Sequence, residues 1–304
     1  MRRVILFPVF FLVLGAAAGA IYYAQRRQKA SHVSANAVVE LAADAQRDIT
    51  RAPLQLTRIS DEEEIAIGRE LEAQYALDKQ SLSAEEMVLQ NYVRRVGGRV
   101  AANAHRALSY EFHLIPDRGL INAFALPGGA VYIGEGMTEL MTTEDELASV
   151  LAHELEHVDH YHAVERVQIE AQLKHLNLEA VGDLLQLPLS LWEAGYHKDE
   201  ELEADREGMF LAVRAGYSPY GEVKLLAKLA KLQKEYVIHA ETPEEELSEL
   251  AIQSLEGYFR THPLPSERQE QANRVIAEQH WETMTEQRPF HLEYELHNGQ
   301  VVSP

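Results

Sequence analysis

The sequence predicts a mainly α-helical domain with one small β-sheet, preceded by a single N-terminal transmembrane helix. Three observations carry that reading. Ser60 with Glu63, Ser83 with Glu86 and Thr143 with Glu146 each form the S/T-x-x-E pair that caps a helix start reciprocally. A Pro-Gly-Gly turn divides the β-prone run INAFALPGGAVYIGEG. The stretch from Val4 to Ala24 contains no charged residue.

At about 1.5 Å per residue, Val4 to Ala24 just crosses a hydrocarbon core of roughly 30 Å. As an anchor it places Tyr22 and Tyr23 at the interface and lets Arg26, Arg27 and Lys29 reach water beyond it. The alternative is a cleaved signal peptide that uses the apolar run ending at Leu14 and the small residues AAAGA. The anchor is preferred, because basic residues directly after a cleavage site are unusual. On either reading the rest of the chain is expected outside the cytoplasm, in a periplasm-like space. The basic flanks nearly balance and do not fix orientation. Residues 1–29 are therefore assigned to the membrane segment, 30–59 to a polar tether, 60–281 to the folded domain and 282–304 to a tail.

Within the domain, helices should begin near 61, 84 and 144, the first two running to about Leu77 and Ala104. Tyr110 to Pro116 has β character, and the Pro-Gly-Gly segment reads as strand, turn, strand. From Thr143, Leu147, Val150, Leu151, Leu155 and Val158 recur at spacings of three and four, an apolar stripe that should bury. A further helix covers Asp199 to Ala215, and another follows GYSP with Ser218 as cap and Pro219 at the first helical position. Between Ala163 and Lys198 the amphipathic pattern is broken by Gly182, Pro188 and Gly195, which predicts helical pieces with mobile joins. Glu241 to Leu250 is an acidic run expected to be solvated, and Asn298-Gly299 is a hairpin signal.

Composition narrows the chemistry. Acidic residues outnumber basic ones 48 to 28, for a net charge of −20, so nucleic acid is excluded as a partner. Cysteine is absent. That removes disulfides, thiol nucleophiles and zinc–thiolate sites, and leaves any metal to His, Asp and Glu.

Such a set stands in AHELEHVDHYH, Ala152 to His162. On a helix the imidazoles of His153 and His157 lie one turn apart on one face, and Glu154 sits beside the first. Zinc held by such a pair acidifies water and polarises a carbonyl while the Glu moves the proton. A chance HExxH in a chain this rich in His and Glu has a probability of about one in twelve, so the motif needs support. A catalytic zinc wants a third protein ligand. His160 and His162 follow too closely, and the metzincin extension fails at His160 and Ala163. Downstream, DEELEADREG offers Glu201 as third ligand and Asp205, one turn on, as acceptor for the free ring N–H of a ligand His. Glu200 and Glu203 are the alternatives, but neither has Asp four residues later. The strand in NAFALPGGAVYIGEG could hold an extended peptide beside such a centre, with Asn122 at its head as a candidate substrate contact.

HELEH, ELEAD about forty residues on, NAFALPGG before them and THPLPSER after them together resemble the gluzincin metallopeptidases of family M48. That group includes the CAAX prenyl endopeptidases, the heat-shock protease HtpX, OMA-type mitochondrial proteases and BepA-type periplasmic proteases. The likeness covers about Ile59 to Ala277. It implies a zincin-type α+β domain with one zinc per chain held by His153, His157 and Glu201. It also implies Glu154 as general base and Asp205 as orienting residue or proton donor. It further implies an endopeptidase acting on misfolded or membrane-associated polypeptides in envelope quality control. A chaperone or assembly factor that keeps a latent zinc site is the alternative.

The same likeness puts His262 near the active site, contacting substrate or transition state or plugging the metal's open position. Structurally, the segment reads equally as a Pro-stiffened turn with Ser266 capping the next helix. Arg268 is a candidate for binding a substrate carbonyl or carboxylate, against a plain surface charge. Glu156 and Asp159 depart from the family pattern, as does Tyr161. Both acids fall off the ligands' face and are expected to be solvated. His105, His113, His160, His162 and His175 are read as ordinary surface or core histidines. The sequence carries no signal for an oligomeric state.

Overall fold

The computed structural model describes residues 59–74, 81–173, 196–239, 258, 262, 265–285 and 287–290. The anchor at 1–29, nearly all of the tether, the broken stretch at 174–195, the acidic run at 241–250 and the hairpin signal near Asn298 lie outside them. Among the described residues no helix is long and apolar enough to cross a membrane.

Two helices, α1 (Asp61–Gln74) and α2 (Ala84–Ala101), lead into the strands β1 (Glu111–Ile115), β2 (Ala123–Ala125) and β3 (Ala130–Gly134). A short α3 (Glu135–Glu139) precedes α4 (Glu144–Asp159) and α5 (His162–Leu173). After these come α6 (Lys198–Arg214), α7 (Tyr220–His239) and α8 (Pro265–Glu278). The domain is thus mainly helical around a three-stranded sheet, as the sequence predicts.

All three capping boxes form. The Ser60 hydroxyl accepts from the Glu63 N–H while the Glu63 carboxylate accepts from Ser60, and Ser83 and Thr143 do the same with Glu86 and Glu146. Other ends differ from expectation. α2 stops at Ala101 rather than near Ala104. α8 starts at Pro265, so Ser266 lies inside the first turn instead of capping it. Proline suits that start because it has no N–H to leave unbonded. α7 begins at Tyr220, with the Ser218 hydroxyl accepting the Tyr220 N–H at 3.3 Å.

In the sheet, β3 lies between parallel β1 and antiparallel β2. Gly134 and Leu126 donate to Asn122 and Ala130, so alternate residues of β2 face β3. The backbone groups of Ala123 and Ala125 therefore turn to the outer edge, where no described strand pairs with them.

The centre of the domain is α4. Its predicted apolar stripe buries, but so does everything else: all sixteen residues are buried. Six of them are carboxylates. Glu144 accepts from the hydroxyls of Tyr92 and Tyr217, both at 2.9 Å. Asp145 accepts the backbone N–H of Ser218 at 2.7 Å and of Arg288 at 2.6 Å. Glu146 closes the capping box and pairs with Lys228 at 2.6 Å. At the far end Asp159 accepts from the N–H of His105, the N–H of Arg106 and the Tyr110 hydroxyl, each at 2.7 Å. Burial pushes the Asp159 carboxyl up, and these donors outweigh it and hold it below the usual range. The expectation that Glu156 and Asp159 are solvated is overturned. The loop after α2 folds over the end of α4 and covers the face that a free helix would show to water.

Two glycines let neighbouring helices approach α4 closely. A Cβ on Gly208 of α6 would stand 3.0 Å from the His153 backbone nitrogen, and one on Gly221 of α7 only 2.3 Å from the Asp145 carbonyl oxygen. Backbone cannot yield as a side chain end can. Gly221→Ala should therefore lower stability by about 2 kcal/mol, read as a fall of roughly 4–8 °C in thermal midpoint.

Candidate metal centre

His153 and His157 project from one face of α4, as their spacing requires, and their Nε2 atoms are 3.1 Å apart. α6 packs across that face and brings in Glu201. Its Oε2 is 3.6 Å from His153 Nε2, and its Oε1 is 3.4 Å from His157 Nε2. His262 completes the group, with Nδ1 2.9 Å from Glu201 Oε2 and 3.3 Å from His153 Nε2. One ligand atom from each of these four buried residues lies within 4.8 Å of the others.

The remaining ring nitrogens show which face carries the lone pairs. His153 Nδ1 is 2.8 Å from Asp205 Oδ1, so its N–H points there. The Arg268 guanidinium is also 3.3 Å from that nitrogen. It is a second donor at longer range, and the carboxylate decides the tautomer. His157 Nδ1 meets His162 Nδ1 at 3.0 Å, and His162 Nε2 faces Glu203 Oε2 at 3.4 Å. With Glu203 accepting from His162 Nε2, His162 Nδ1 accepts from His157. Both ligand candidates therefore turn bare Nε2 lone pairs toward one another at 3.1 Å. That contact is repulsive without a cation, and adjacent ligands of a tetrahedral zinc stand about 3.3 Å apart. Glu201 Oε1, buried and without a hydrogen bond, fits the same demand. The donor set of two or three imidazoles and one carboxylate suits zinc.

Electrostatics agree with the geometry. Burial holds His157 well below the usual imidazole range, which keeps it neutral and able to ligate. Burial pushes Glu201 up, but the charge of His262 and its Nδ1 contact at 2.9 Å outweigh it and hold the carboxyl well below its ordinary value. Burial raises Glu154. Its Oε1 is 3.5 Å from His262 Nε2, while Oε2 is buried with no hydrogen-bond partner. Arg268 grips Asp205 with two bonds, Nε to Oδ2 at 2.7 Å and Nη2 to Oδ1 at 2.6 Å. Asp205 stays ionised because that guanidinium outweighs burial. Beside them Glu222 is pushed well above the carboxylate range, first by burial and then by the Asp205 charge.

The structure thus gathers His153, Glu154, His157, Glu201, Asp205, His262 and Arg268 into one buried cluster. Arg268 is not a surface charge. Asn122 is not part of the cluster; its Oδ1 accepts the N–H of Ala123 at 2.9 Å. Sequence reasoning missed two residues. His162, read there as an ordinary histidine, orients His157. Tyr196 stacks flat on the His157 ring, with centroids 3.6 Å apart and planes within 10°. The only local signal for His162 is backbone: Tyr161 adopts φ 65°, which reverses the chain after α4 and starts α5 against the site.

Because Asp205 is the anion nearest the buried Arg268, Asp205→Ala strands a charge. It should cost about 3–5 kcal/mol in a denaturant titration.

The family model of peptidase family M48 matches residues 88–276. Over 199 residues the chain is 30% identical to the beta-barrel assembly-enhancing protease of Yersinia pestis, covering 60% of this chain and 37% of that one. Over 136 residues it is 35% identical to the mitochondrial metalloendopeptidase OMA1 of Schizosaccharomyces pombe, covering 42% and 40%. Against the beta-barrel assembly-enhancing protease of Escherichia coli K12 it is 29% identical over 202 residues, covering 60% and 37%. The chain spans about two-fifths of the length of these relatives. With the motif residues converging as described and the match covering more than half of its length, the chain belongs to peptidase family M48.

Proposed function

We propose that this chain is a zinc-dependent endopeptidase, with His153, His157 and Glu201 as ligands. The observation that carries the proposal is the pair of Nε2 lone pairs facing each other at 3.1 Å beside the unbonded Glu201 Oε1. Zinc held there supplies Lewis acidity, acidifying water and polarising a peptide carbonyl. The chain's own residues do the rest. Glu154 Oε2, free of hydrogen bonds, receives the proton from water and returns it to the leaving amine. Asp205 fixes the tautomer of His153, His162 fixes that of His157, and Arg268 holds Asp205. The outer edge of β2, packed against α4, can take an extended polypeptide as an added strand.

The substrates we infer are misfolded or membrane-associated polypeptides, handled outside the cytoplasm by a chain anchored through Val4 to Ala24. The uncharged segment supports this, as do relatives named for β-barrel assembly and for mitochondria. In the test, Glu154→Gln should retain zinc and fold while turnover of a casein-type substrate falls by about 10² to 10⁴. Unchanged turnover removes Glu154 from its role. Full cellular complementation by the same variant would favour the chaperone reading.

The position of His262 favours a latent resting form. Its Nδ1 sits among the ligand atoms, where water or substrate would need to enter. His262→Ala should therefore raise basal cleavage of the same substrate. A fall would assign His262 to the transition state, and no change would discard both roles.

A further inference from the structure

A second buried carboxylate on α4 also lacks a hydrogen bond. Glu156 is 0% exposed, and neither of its oxygens accepts one. His160, one turn on, brings Nε2 to 3.1 Å from Glu156 Oε2, an ion pair whenever that ring is protonated. Its Nδ1 faces Glu203 Oε1 at 3.6 Å. The loop after α2 adds His105, whose ring stands edge-on to that of His160 with centroids 6.1 Å apart. The Nδ1 of His105 is 3.0 Å from Asp159 Oδ2. Its N–H is committed there, and Nε2 keeps the free lone pair. One ligand atom from each of His105, Glu156 and His160 lies within 4.8 Å of the others.

We propose that His105, Glu156 and His160 form a second divalent-metal site, taking zinc or a similar first-row ion. A carboxylate removed wholly from water needs directed donors or a cation, and what stands beside Glu156 is the His160 ring alone of the two histidines, 3.1 Å away. Two imidazoles and one carboxylate make a three-residue set that leaves positions open to solvent. The side chain of His105 is 52% exposed, so an ion can enter from water. Asp159 orients His105 as Asp205 orients His153, the carboxylate–histidine arrangement that accompanies metal ligation. The site shares no ligand with the first cluster and does not depend on the peptidase reading. It ties the loop that covers the end of α4 to the helix itself.

Zinc titration of the metal-free full chain by calorimetry, with metal analysis of the product, tests this. Wild type should bind two ions per chain. His105→Ala, at an exposed position that leaves packing intact, should keep one ion and weaken the other at least tenfold. Glu156→Gln should do the same. His157→Ala should instead lose the first-cluster ion and keep the second. One ion per wild-type chain that survives His105→Ala overturns the proposal, as do two ions bound with unchanged affinity by both His105→Ala and Glu156→Gln. One ion lost in His105→Ala but retained in His157→Ala would uphold this site and refute the first.

Discussion

The domain is organised by one constraint: α4 is buried on every side and carries six carboxylates. Each unpaired buried carboxylate costs several kcal/mol even after relaxation. A whole domain is stable by only about 5–15 kcal/mol. Six uncompensated acids would exceed that margin, so the surrounding elements must supply partners. α2 contributes Tyr92, the segment before α7 contributes Tyr217 and Ser218, the segment after α8 contributes Arg288, and α7 itself contributes Lys228. The loop after α2 closes over Asp159. In each case the packing contact and the electrostatic partner are the same piece of chain.

The helix dipole divides the six acids unequally. Glu144, Asp145 and Glu146 occupy the first turn, where free backbone N–H groups favour negative charge. Neutral donors, Lys228 beside Glu146 and the guanidinium groups of Arg95, Arg99 and Arg288 around Glu144 complete their shells. Glu154, Glu156 and Asp159 lie in the C-terminal half, where the carbonyl end disfavours an anion. Asp159 compensates with four directed donors, the His105 ring N–H among them. Glu154 and Glu156 do not, and each lies beside a histidine ring. The distribution of unsatisfied oxygen atoms therefore points to where cations belong, without reference to any motif.

Local order was legible in the sequence wherever the cause was local. The capping boxes fix helix starts through bonds three residues apart, and the HExxH spacing fixes His153 and His157 on one face by helix geometry alone. Glu201 with Asp205 could be read for the same reason, although their meeting with α4 depends on the close approach at Gly208. What escaped depends on distant chain. Glu156 reads as solvated until the loop carrying His105 and Arg106 is folded over it. His162 reads as ordinary until the reversal at Tyr161 aims its ring at His157. The burial of Arg268 could not be read locally either, because its anion, Asp205, lies sixty-three positions away.

Helix geometry also explains why one cation cannot serve both unpaired acids. Two residues along a helix turn through about 200°, so Glu154 and Glu156 leave α4 on opposite sides. The helix instead carries two interleaved pairs with i,i+4 spacing, His153 with His157 and Glu156 with His160, each able to converge on its own point. α6 serves both. Glu201 faces the first pair, and Glu203 reaches His162 through Oε2 and His160 through Oε1. Glu203 thus sits between the clusters, accepting from His162 and standing within ion-pair range of His160.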